Sequence, residues 1–382
     1  MQLSVIILNY NVRYFLEQCV RSVQKALNHM NPEFSGEIIV IDNHSSDDSC
    51  QMMKKLFPEI LLIENNENVG FTKGNNIGVA SAKGEYICIL NPDTVVAEDT
   101  FSKLLQEENW ISNTGIIGCK LIDGVGKFLP ESKRGVPTPW VSFTKIFGLY
   151  QFFPKSKWFN QYYAQHVSEN DSGEVAILVG AFMMMKRDLY LKIGGFDEAC
   201  FMYSDDIDLS YRVLQEGYKN RYVPTTTIIH YKGESTVRDG TYFKRFSKSM
   251  QFFYKKHFKK SLFFDVFMKL GSVAFTVLKM KQQKKIIRKI DGYIVFSKQA
   301  LDLKLNKRVT YLSSIESFSD DIGKENKNVE IIFNTNDFDN LEIINFMQLN
   351  KNSNFTYKNY IYPSSYLIGS NDSNDRGEVK LV

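Results

Sequence analysis

Cysteine is scarce in this chain, and its five residues are scattered over 382 positions without a CxxC pair. A disulfide framework or a zinc ribbon needs closely spaced pairs, so the sequence excludes both and predicts reduced, buried thiols. A long apolar run is also missing from the amino-terminal region. The run at residues 3–8 is too short for a signal peptide and follows no basic residues, so we expect the protein to stay on the cytoplasmic side.

Net charge is low as well. The chain carries 47 Lys and Arg against 43 Asp and Glu, a formal charge of +4, which argues against a dedicated nucleic-acid-binding protein. With 43% hydrophobic and 24% charged residues, the composition is that of a folded chain rather than a disordered one. At about 100–200 residues per domain, the length suits two domains.

The basic charge is concentrated in residues 243–289, which contain fourteen Lys or Arg, one acid (Asp265) and many Phe and Tyr. Residues 262–278 are apolar, but Asp265 and Lys269 interrupt them, and a membrane span needs about 20 residues. The pattern favours amphipathic helices that lie in an anionic membrane interface. A helix pair packed on the rest of the protein with a solvated basic face, and an RNA-binding segment, are the alternatives.

Short apolar runs alternate with helical patterns from the first residue. The runs are continuous, as in parallel strands buried on both faces, so we expect an α/β fold. The predicted strands are 3–8, 37–42, 60–64 and 86–90, and the predicted helices are 13–27, 46–57 and 73–83. A second α/β unit is predicted from strands at 293–297, 308–314, 329–335, 354–360 and 366–370, a helix at 340–349, and a frayed tail after Gly369.

Two aspartates, Asp42 and Asp93, each follow a predicted buried strand. Ligands of open α/β sheets bind outside the carboxyl ends of the strands, where a carboxylate can bind a ribose hydroxyl, a base N–H or a divalent cation. Either residue alone could instead cap the next helix, so it is the pair that favours a site. The Gly- and Asn-rich segment 68–78 matches neither the P-loop pattern nor GxGxxG after the first strand, which disfavours a dinucleotide oxidoreductase.

Eight segments occur in the order found in glycosyltransferase family 2, and together they resemble its rhamnosyltransferase-type members most. The resemblance covers residues 1–240 and implies a GT-A fold, a Rossmann-like domain that binds a nucleotide-diphospho-sugar and a divalent cation, Mg²⁺ or Mn²⁺. We therefore expect a catalytic domain at 1–240, a basic amphipathic helical segment at 241–289 and a small α/β domain of unassigned role at 290–382. The eight segments are VIILNYN (5–11), IDNHSSDDS (41–49), NVGFTKGNNIG (68–78), YICILNPDT (86–94), GAFMMMKR (180–187), GGFDE (194–198), MYSDDIDLSYR (202–212) and IIHYKGEST (228–236).

The resemblance also implies roles for individual residues. Asp93 and His230 are the expected metal ligands, but the Asp-x-Asp motif of the family is Asn91-Pro92-Asp93 here, so its first carboxylate is missing. Lys232, Ser235 and Arg238 follow the histidine and would contact phosphates. The expected substrate-binding residues are Asn9, Asn11, Asp42, Asn43, Gly70, Phe71, Gly74, Asn75, Gly180 and Asp208.

Three aspartates, Asp205, Asp206 and Asp208, stand at the start of a helical pattern. Capping accounts for one of them, whereas clustered like charges raise one another's pKa, which suits a base that deprotonates a sugar hydroxyl. In the family the second acid of this pattern is the base, and Asp206 occupies that position, while Asp205 replaces the usual Glu. We expect Asp206 to be the catalytic base, with Asp205 beside it, in a single displacement that inverts the anomeric carbon.

The expected activity is transfer of a sugar to a hydroxyl of a glycan or a polyprenyl-diphosphate-linked acceptor in cell-surface polysaccharide synthesis. The resemblance favours dTDP-rhamnose as donor. An anionic membrane is the expected partner, at the inner face of the cell membrane; no nucleic acid is expected, and the oligomeric state is open. A sugar nucleotidyltransferase is the alternative enzyme, although residues 9–12 supply no Gly-rich, cation-bearing loop. A non-catalytic nucleotide-sugar-binding or scaffold protein would not need all of Asp42, Asp93 and Asp206.

Overall fold

The computed structural model describes residues 1–153, 156, 158–200, 203–232, 240–258, 289–318, 328–371 and 377–382. The strands are β1 (Leu3–Asn9), β2 (Gly36–Asp42), β3 (Leu61–Glu64), β4 (Tyr86–Leu90), β5 (Thr94–Val95), β6 (Thr114–Ile122), β7 (Lys133–Arg134), β8 (Gly173–Val175), β9 (Ile177–Leu178), β10 (Phe182–Lys186), β11 (Lys219–His230), β12 (Gly292–Phe296), β13 (Val309–Leu312), β14 (Val329–Asn334), β15 (Phe355–Ile361), β16 (Tyr366–Ser370) and β17 (Glu378–Leu381). The helices are α1 (Arg13–Asn28), α2 (Ser49–Leu56), α3 (Phe71–Ser81), α4 (Thr100–Leu104), α5 (Pro139–Ile146), α6 (Leu149–Phe152), α7 (Arg187–Lys192), α8 (Asp205–Gln215), α9 (Gly240–His257) and α10 (Asn340–Leu349).

Nine strands of the described residues form the first sheet, in the order β3-β2-β1-β4-β10-β6-β11-β5, with β8 paired to β11. β1, β2, β3 and β4 are parallel, and β10 runs antiparallel between β4 and β6. Val5 and Ile7 face a core that includes α1 and α2, whereas Ile6 and Leu8 face one that includes α3. The sheet is therefore covered on both sides, which explains the continuous apolar pattern of its strands.

Helix α3 lies close to the sheet because glycine faces it at two positions. A Cβ atom at Gly74 would lie 2.5 Å from Leu8 Cδ1, and one at Gly78 would lie 2.4 Å from Ile41 Cδ1. Gly70 precedes the first helical residue with φ +85°, a conformation that glycine adopts at little cost. Gly74, which the resemblance assigns to the substrate pocket, thus serves the packing of helix on sheet.

The predicted second α/β unit is present. Across the described C-terminal residues, six strands form a sheet in the order β13-β12-β14-β15-β16-β17, parallel as far as β15 and antiparallel after it. The chain end is not a frayed tail, contrary to the sequence prediction. β17 pairs with β16, with Leu381 opposite Tyr366, and Val379 packs against the core of this unit.

The C-terminal sheet and the first sheet share a hydrophobic core. Phe15, Val95 and Tyr231 from the first region lie in one cluster with Phe333 and Tyr366 from the second. The rings of Phe15 and Tyr231 have centroids 5.4 Å apart. The amino terminus of α10 is held by a carboxylate of the first region: Glu98 accepts from the backbone N–H groups of Asn340 and Leu341 at 2.9 and 2.8 Å.

The first part of the basic segment packs on the catalytic region. In α9, Met250, Phe253 and Tyr254 are buried in a cluster with Ile177 and Ile207. These three side chains pack on the protein, as in the alternative of a packed helix, and a membrane-interface role for the segment stays a prediction. Residues 259–288, the rest of that segment, lie outside the described residues. No described helix is both long and apolar enough to cross a membrane.

Most predicted elements differ from the observed ones by one or two residues, but α2 begins at Ser49 rather than at Ser46. The backbone N–H of Ser46 is held by Asn11 Oδ1 at 2.7 Å, and Asp47 Oδ1 accepts from Ser49 N at 3.1 Å, which starts the helix three residues later. The five cysteines are free and four of them are buried, as their spacing predicts.

Candidate active site

The ends of β1 and β2 are tied together by polar side chains. Asn9 lies level with Asp42 in the sheet, and its Nδ2 donates to Asp42 Oδ1 at 2.7 Å, while Ser45 N donates to Asp42 Oδ2 at 2.8 Å. Asn11 has a left-handed backbone (φ 56°) and accepts from Ser46 at the start of the next loop. These three predicted residues build the loop at the sheet edge, and their contact with a nucleotide stays a prediction.

Asn43 links this loop to the start of α3. Its Nδ2 donates to the carbonyl of Gly70 at 3.1 Å and to Asn68 Oδ1 at 3.2 Å, and its Oδ1 accepts from Asn65 at 2.9 Å. Asn75 is fully buried and donates to the carbonyl of Phe71 at 2.9 Å, and its Oδ1 has no partner among the described residues. The amides therefore fix the backbone on this side of the site.

A cavity of about 260 Å³ opens between the strand ends, α3 and α8. It brings together six of the residues singled out from the sequence. Asp42 and Gly70 stand directly behind its wall, through their contacts with Asn9 and Asn43. The cavity is lined by Leu8, Tyr10, Asn43, Asn68, Phe71, Asn91, Pro92, Val179, Gly180, Ala181, Tyr203, Asp205, Asp206 and His230.

Asp93 and His230 meet at one end of the cavity. β5 pairs with the end of β11, and this pairing sets His230 Nε2 3.3 Å from Asp93 Oδ1, with both side chains almost fully buried. The Nδ1 atom of His230 is buried and has no partner in the described part of the chain. No described group of three or more His, Cys, Asp or Glu could hold a metal. One carboxylate and one imidazole still fit a Mg²⁺ or Mn²⁺ ion, which keeps water and phosphate ligands.

The two adjacent aspartates, Asp205 and Asp206, also line the cavity, and they belong to the first turn of α8. Asp206 Oδ2 accepts from the backbone N–H of Gly180 at 3.0 Å and from Arg134 Nη2 at 2.5 Å. Among the described residues none bonds to Asp206 Oδ1, so this atom is available to a hydroxyl in the cavity. Burial, and then the negative charge of Asp206, raise the pKa of Asp205 from 3.8 to about 7.

The buried charge of Asp205 has a stability consequence that Asp205→Asn tests. Because its pKa is raised in the folded state, the acid adds stability below about pH 4 and loses this contribution as the pH rises towards 7. The amide has no charge to bury, so the variant should be more stable than the parent by about 2–4 kcal/mol at pH 8 and by little at pH 4. Urea unfolding at the two pH values measures this. Equal stability differences at both would contradict the burial of an ionised Asp205.

Arg134 is the site residue that the sequence prediction missed. It lies on the two-residue strand β7, which pairs with β9 opposite Ile177 and so aims the guanidinium at Asp206. Burial alone would lower the pKa of this guanidinium, but the Asp206 carboxylate raises it above its ordinary value, so Arg134 remains a cation. A lone arginine in an irregular stretch carries no motif, and only the contact across 72 positions reveals it.

Comparison with known proteins agrees with this geometry. The model of one protein family, Glycosyl transferase family 2, matches residues 4–194, half of the chain. The chain belongs to this family. Membership and the sheet order confirm the GT-A-like α/β fold, and they set the sugar nucleotidyltransferase alternative aside.

Curated relatives of this glycosyltransferase include two rhamnosyltransferases. It is 25% identical to the N-acetylglucosaminyl-diphospho-decaprenol L-rhamnosyltransferase of Mycobacterium tuberculosis over 248 residues, 62% of this chain and 78% of that protein. It is 30% identical to rhamnosyltransferase WbbL of Escherichia coli over 181 residues, 42% of this chain and 61% of that protein. A solved structure of GalNAc-T7 with UDP, GalNAc and Mn²⁺ is similar with a TM-score of 0.47 and 19% identity; the match covers 66% of this chain and 48% of that one.

Asp208 does not line the cavity of the glycosyltransferase, contrary to the substrate-binding role expected for it. Its side chain is 1% exposed and is surrounded by nitrogen atoms: Arg212 Nε at 2.8 Å, Lys256 Nζ at 2.8 Å and His257 Nε2 at 2.6 Å. These groups hold its pKa below its usual range even though burial alone would raise it. The carboxylate thus fastens α9 to α8.

The cations expected at the phosphates are only partly described. Lys232 forms an ion pair with Glu131 at the edge of the site. Ser235 and Arg238 lie outside the described residues. Phosphate binding by this loop stays a prediction.

Proposed function

We propose that this glycosyltransferase is an inverting enzyme that transfers a sugar, best matched by rhamnose from dTDP-rhamnose, to a hydroxyl of a polyprenyl-diphosphate-linked or other glycan acceptor in cell-surface polysaccharide synthesis. The donor and acceptor classes follow the names of the rhamnosyltransferase relatives. The observation that carries the proposal is one cavity lined both by Asp206 and by His230, whose Nε2 lies 3.3 Å from Asp93 Oδ1. Such a site can hold an acceptor hydroxyl and a leaving diphosphate at once.

On this proposal Asp206 takes the proton of the acceptor hydroxyl on its free Oδ1. Its other oxygen is fixed by Gly180 N and Arg134, so the carboxylate is oriented before the substrate arrives. The nucleoside of the donor would lie over Asn43 and Phe71, beside the loop that Asp42 supports. A divalent cation held by Asp93 and His230 would neutralise the leaving nucleoside diphosphate.

A donor screen tests the activity. The full chain is incubated with a panel of nucleotide sugars and a polyprenyl-diphosphate-linked acceptor, and release of nucleoside diphosphate is followed together with acceptor mass. We expect transfer with dTDP-rhamnose that depends on the acceptor. Failure of every nucleotide sugar in the panel, at a protein concentration where binding is measurable, would refute the proposal. Transfer of another sugar would refute dTDP-rhamnose as the donor but would support the proposed glycosyl transfer.

Asn91→Asp tests the metal site by restoring the missing first carboxylate. Asn91 lines the cavity two residues before Asp93, so a second acid adds a hard oxygen ligand where the donor phosphates would also contribute. We expect Mn²⁺ to half-saturate activity at a concentration about tenfold lower than in the parent, because each added carboxylate strengthens binding of a hard cation. Activity of the parent should vanish in EDTA and return with Mn²⁺ or Mg²⁺.

Two controls accompany the metal titration. Asp188→Asn removes an exposed carboxylate from the first turn of α7, away from the cavity lining, and should leave the Mn²⁺ dependence unchanged. Asp93→Ala should weaken donor binding only when metal is present. Donor affinity that is the same in EDTA and in Mn²⁺ for the parent chain would contradict a metal site at Asp93.

We also propose that the enzyme works at the inner face of the cell membrane. The basic residues after His257 and the lipid-linked acceptor of a curated relative support this placement. Because Met250, Phe253 and Tyr254 are buried, the apolar contact with lipid would come from other side chains.

A further inference from the structure

Residues 133–167, which begin with β7, have an unusual composition. From residue 133 to residue 167 the sequence contains no Asp or Glu. Its cations are Lys133, Arg134, Lys145, Lys155 and Lys157. Its aromatic residues are Trp140, Phe143, Phe147, Tyr150, Phe152, Phe153, Trp158, Phe159, Tyr162 and Tyr163.

Half of these aromatic side chains face solvent. We call Trp140, Phe147, Phe152, Phe153 and Trp158 the aromatic face; their exposed fractions are 43%, 55%, 75%, 51% and 73%. Ring contacts join three of the five, because Phe143 lies 5.5 Å from Trp140 and 4.7 Å from Phe147, and Phe159 lies 5.7 Å from Trp140 and 5.1 Å from Phe153. Phe152 and Trp158 are neighbours of these residues in the sequence. A contiguous exposed patch of this kind marks an interaction surface, whereas single exposed apolar residues do not.

The aromatic face is joined to the active site and to the basic helix. Gly135, next to Arg134, donates its N–H to the carbonyl of Tyr162 at 3.1 Å, and Lys145 Nζ lies 3.5 Å from the Tyr162 ring centroid. On its other side α5 contacts α9 through Ser142 Oγ and Tyr254 Oη, 2.7 Å apart. Whatever binds the aromatic face is therefore held beside the catalytic base and the basic segment.

We propose that the aromatic face docks this protein onto an anionic lipid bilayer. Trp and Phe side chains are favoured at the headgroup level, and cations without neighbouring acids are attracted to anionic lipid. Arg134 is paired with Asp206 and Lys133 is buried, so neither adds charge to the surface. Residues 135–167 still contain Lys145, Lys155 and Lys157 and no acid, and this positive sequence charge complements an anionic bilayer. This step rests on the proposed function: the same contact would bring a lipid-linked acceptor towards Arg134, which pairs with Asp206 of the cavity lining.

Tryptophan fluorescence gives a direct test, since the chain has three tryptophans and two belong to the aromatic face. The third, Trp110, is half-buried; its ring packs on Tyr86 and its indole N–H donates to the carbonyl of Leu104. We expect vesicles of phosphatidylglycerol with brominated acyl chains to quench the parent protein. The variant that keeps only Trp110 (Trp140→Phe with Trp158→Phe) should not be quenched. Absence of quenching in the parent, under conditions where it co-sediments with the vesicles, would overturn the proposal.

Vesicle binding measures the contribution of the face. Phe152→Ser with Trp158→Ser removes two exposed side chains that have no ring partner among the described residues, and should lower the partition coefficient about tenfold or more. Leu349→Ser, at an 86% exposed position in α10, is the matched control and should bind as the parent does. The same loss in both variants, or wild-type binding of the double variant, would refute docking by this face. Binding lost only when the cations of 279–289 are replaced would assign docking to the basic segment instead.

The test separates this inference from the proposed activity. Transfer to a water-soluble acceptor analogue should be unchanged in the double serine variant, while transfer to a lipid-linked acceptor in vesicles should fall with binding. Loss of both transfers would mean that the face supports the fold or the acceptor pocket, against the proposal. If the parent protein transfers sugar to a soluble acceptor but never binds vesicles, the proposed activity stands and the proposed membrane docking is refuted. Preference for an added protein over vesicles would identify a protein partner and also overturn it.

Discussion

Asp206→Asn is expected to lower kcat by about 10²–10⁴-fold, the range that a positioned base contributes. The amide cannot take a proton from the acceptor hydroxyl, but it has the same shape and can still accept from Gly180 N through its oxygen. Donor binding involves other parts of the lining, so the donor Kd should stay within about threefold of the parent value. Steady-state turnover with saturating acceptor, and donor titration by calorimetry, measure the two quantities.

Asp205→Asn is the matched control for this result because the two acids are neighbours in the same turn. If Asp206 is the base, the Asp205 variant keeps measurable turnover, with a changed pH profile. If Asp205 holds the proton instead, the losses are reversed between the two variants. Near-parental turnover of Asp206→Asn would refute the assignment of Asp206 as the catalytic base.

Arg134→Met is expected to lower kcat at neutral pH by about 10–100-fold. The acidic limb of the plot of kcat against pH should also move to higher pH. The guanidinium is the cation that contacts Asp206, while Asp205 sits beside it in the helix, so without Arg134 the two carboxylates repel and share a proton. Base catalysis then requires a higher pH. Glu131, Tyr162 and His230 also face this part of the site and are unchanged in the variant.

The pH profile distinguishes a positioning role from a purely structural one. Arg134→Lys keeps the positive charge and should recover part of the turnover and the parental pH profile. Recovery should be partial because a lysine lacks the planar guanidinium group with its several N–H donors. Arg221→Met is the structural control, since Arg221 donates to the backbone carbonyls of Glu108 and Asn109. An Arg134→Met enzyme with lower kcat but an unshifted profile would show that Arg134 supports the fold and not the ionisation of Asp206.

Local sequence pattern was sufficient for the strands and for the residues at their ends. The apolar runs that become β1, β2 and β4 are buried on both faces, and burial leaves a continuous hydrophobic pattern that can be read without the structure. Once the strands are parallel, Asp42 must follow one and Asp93 another at the same edge. The resemblance added Asp206 and His230, and the structure brings both to the same cavity.

What the sequence could not predict depends on packing between distant parts of the chain. Asp206 acquires its partner from β7, whose position is set by pairing with β9 rather than by any local pattern. Phe253 and Tyr254 are typical of a membrane-facing helix until Ile177 and Ile207 are known to cover them. Asp208 likewise belongs to an acidic cluster in the sequence, and only its contacts with Arg212, Lys256 and His257 reveal its structural role.

The core shared by the two sheets means that each sheet stabilises the other. A chain ending at residue 289 would leave Phe15 and Tyr231 facing water, and the Glu98 carboxylate would lose the donors of α10. The two regions are therefore one cooperative unit, not modules that recombination could exchange freely. Tyr231 directly follows His230, which lines the cavity. Because Tyr231 packs in the core shared with the C-terminal sheet, a substitution in that sheet can move His230, although the sheet begins about sixty residues later in the sequence.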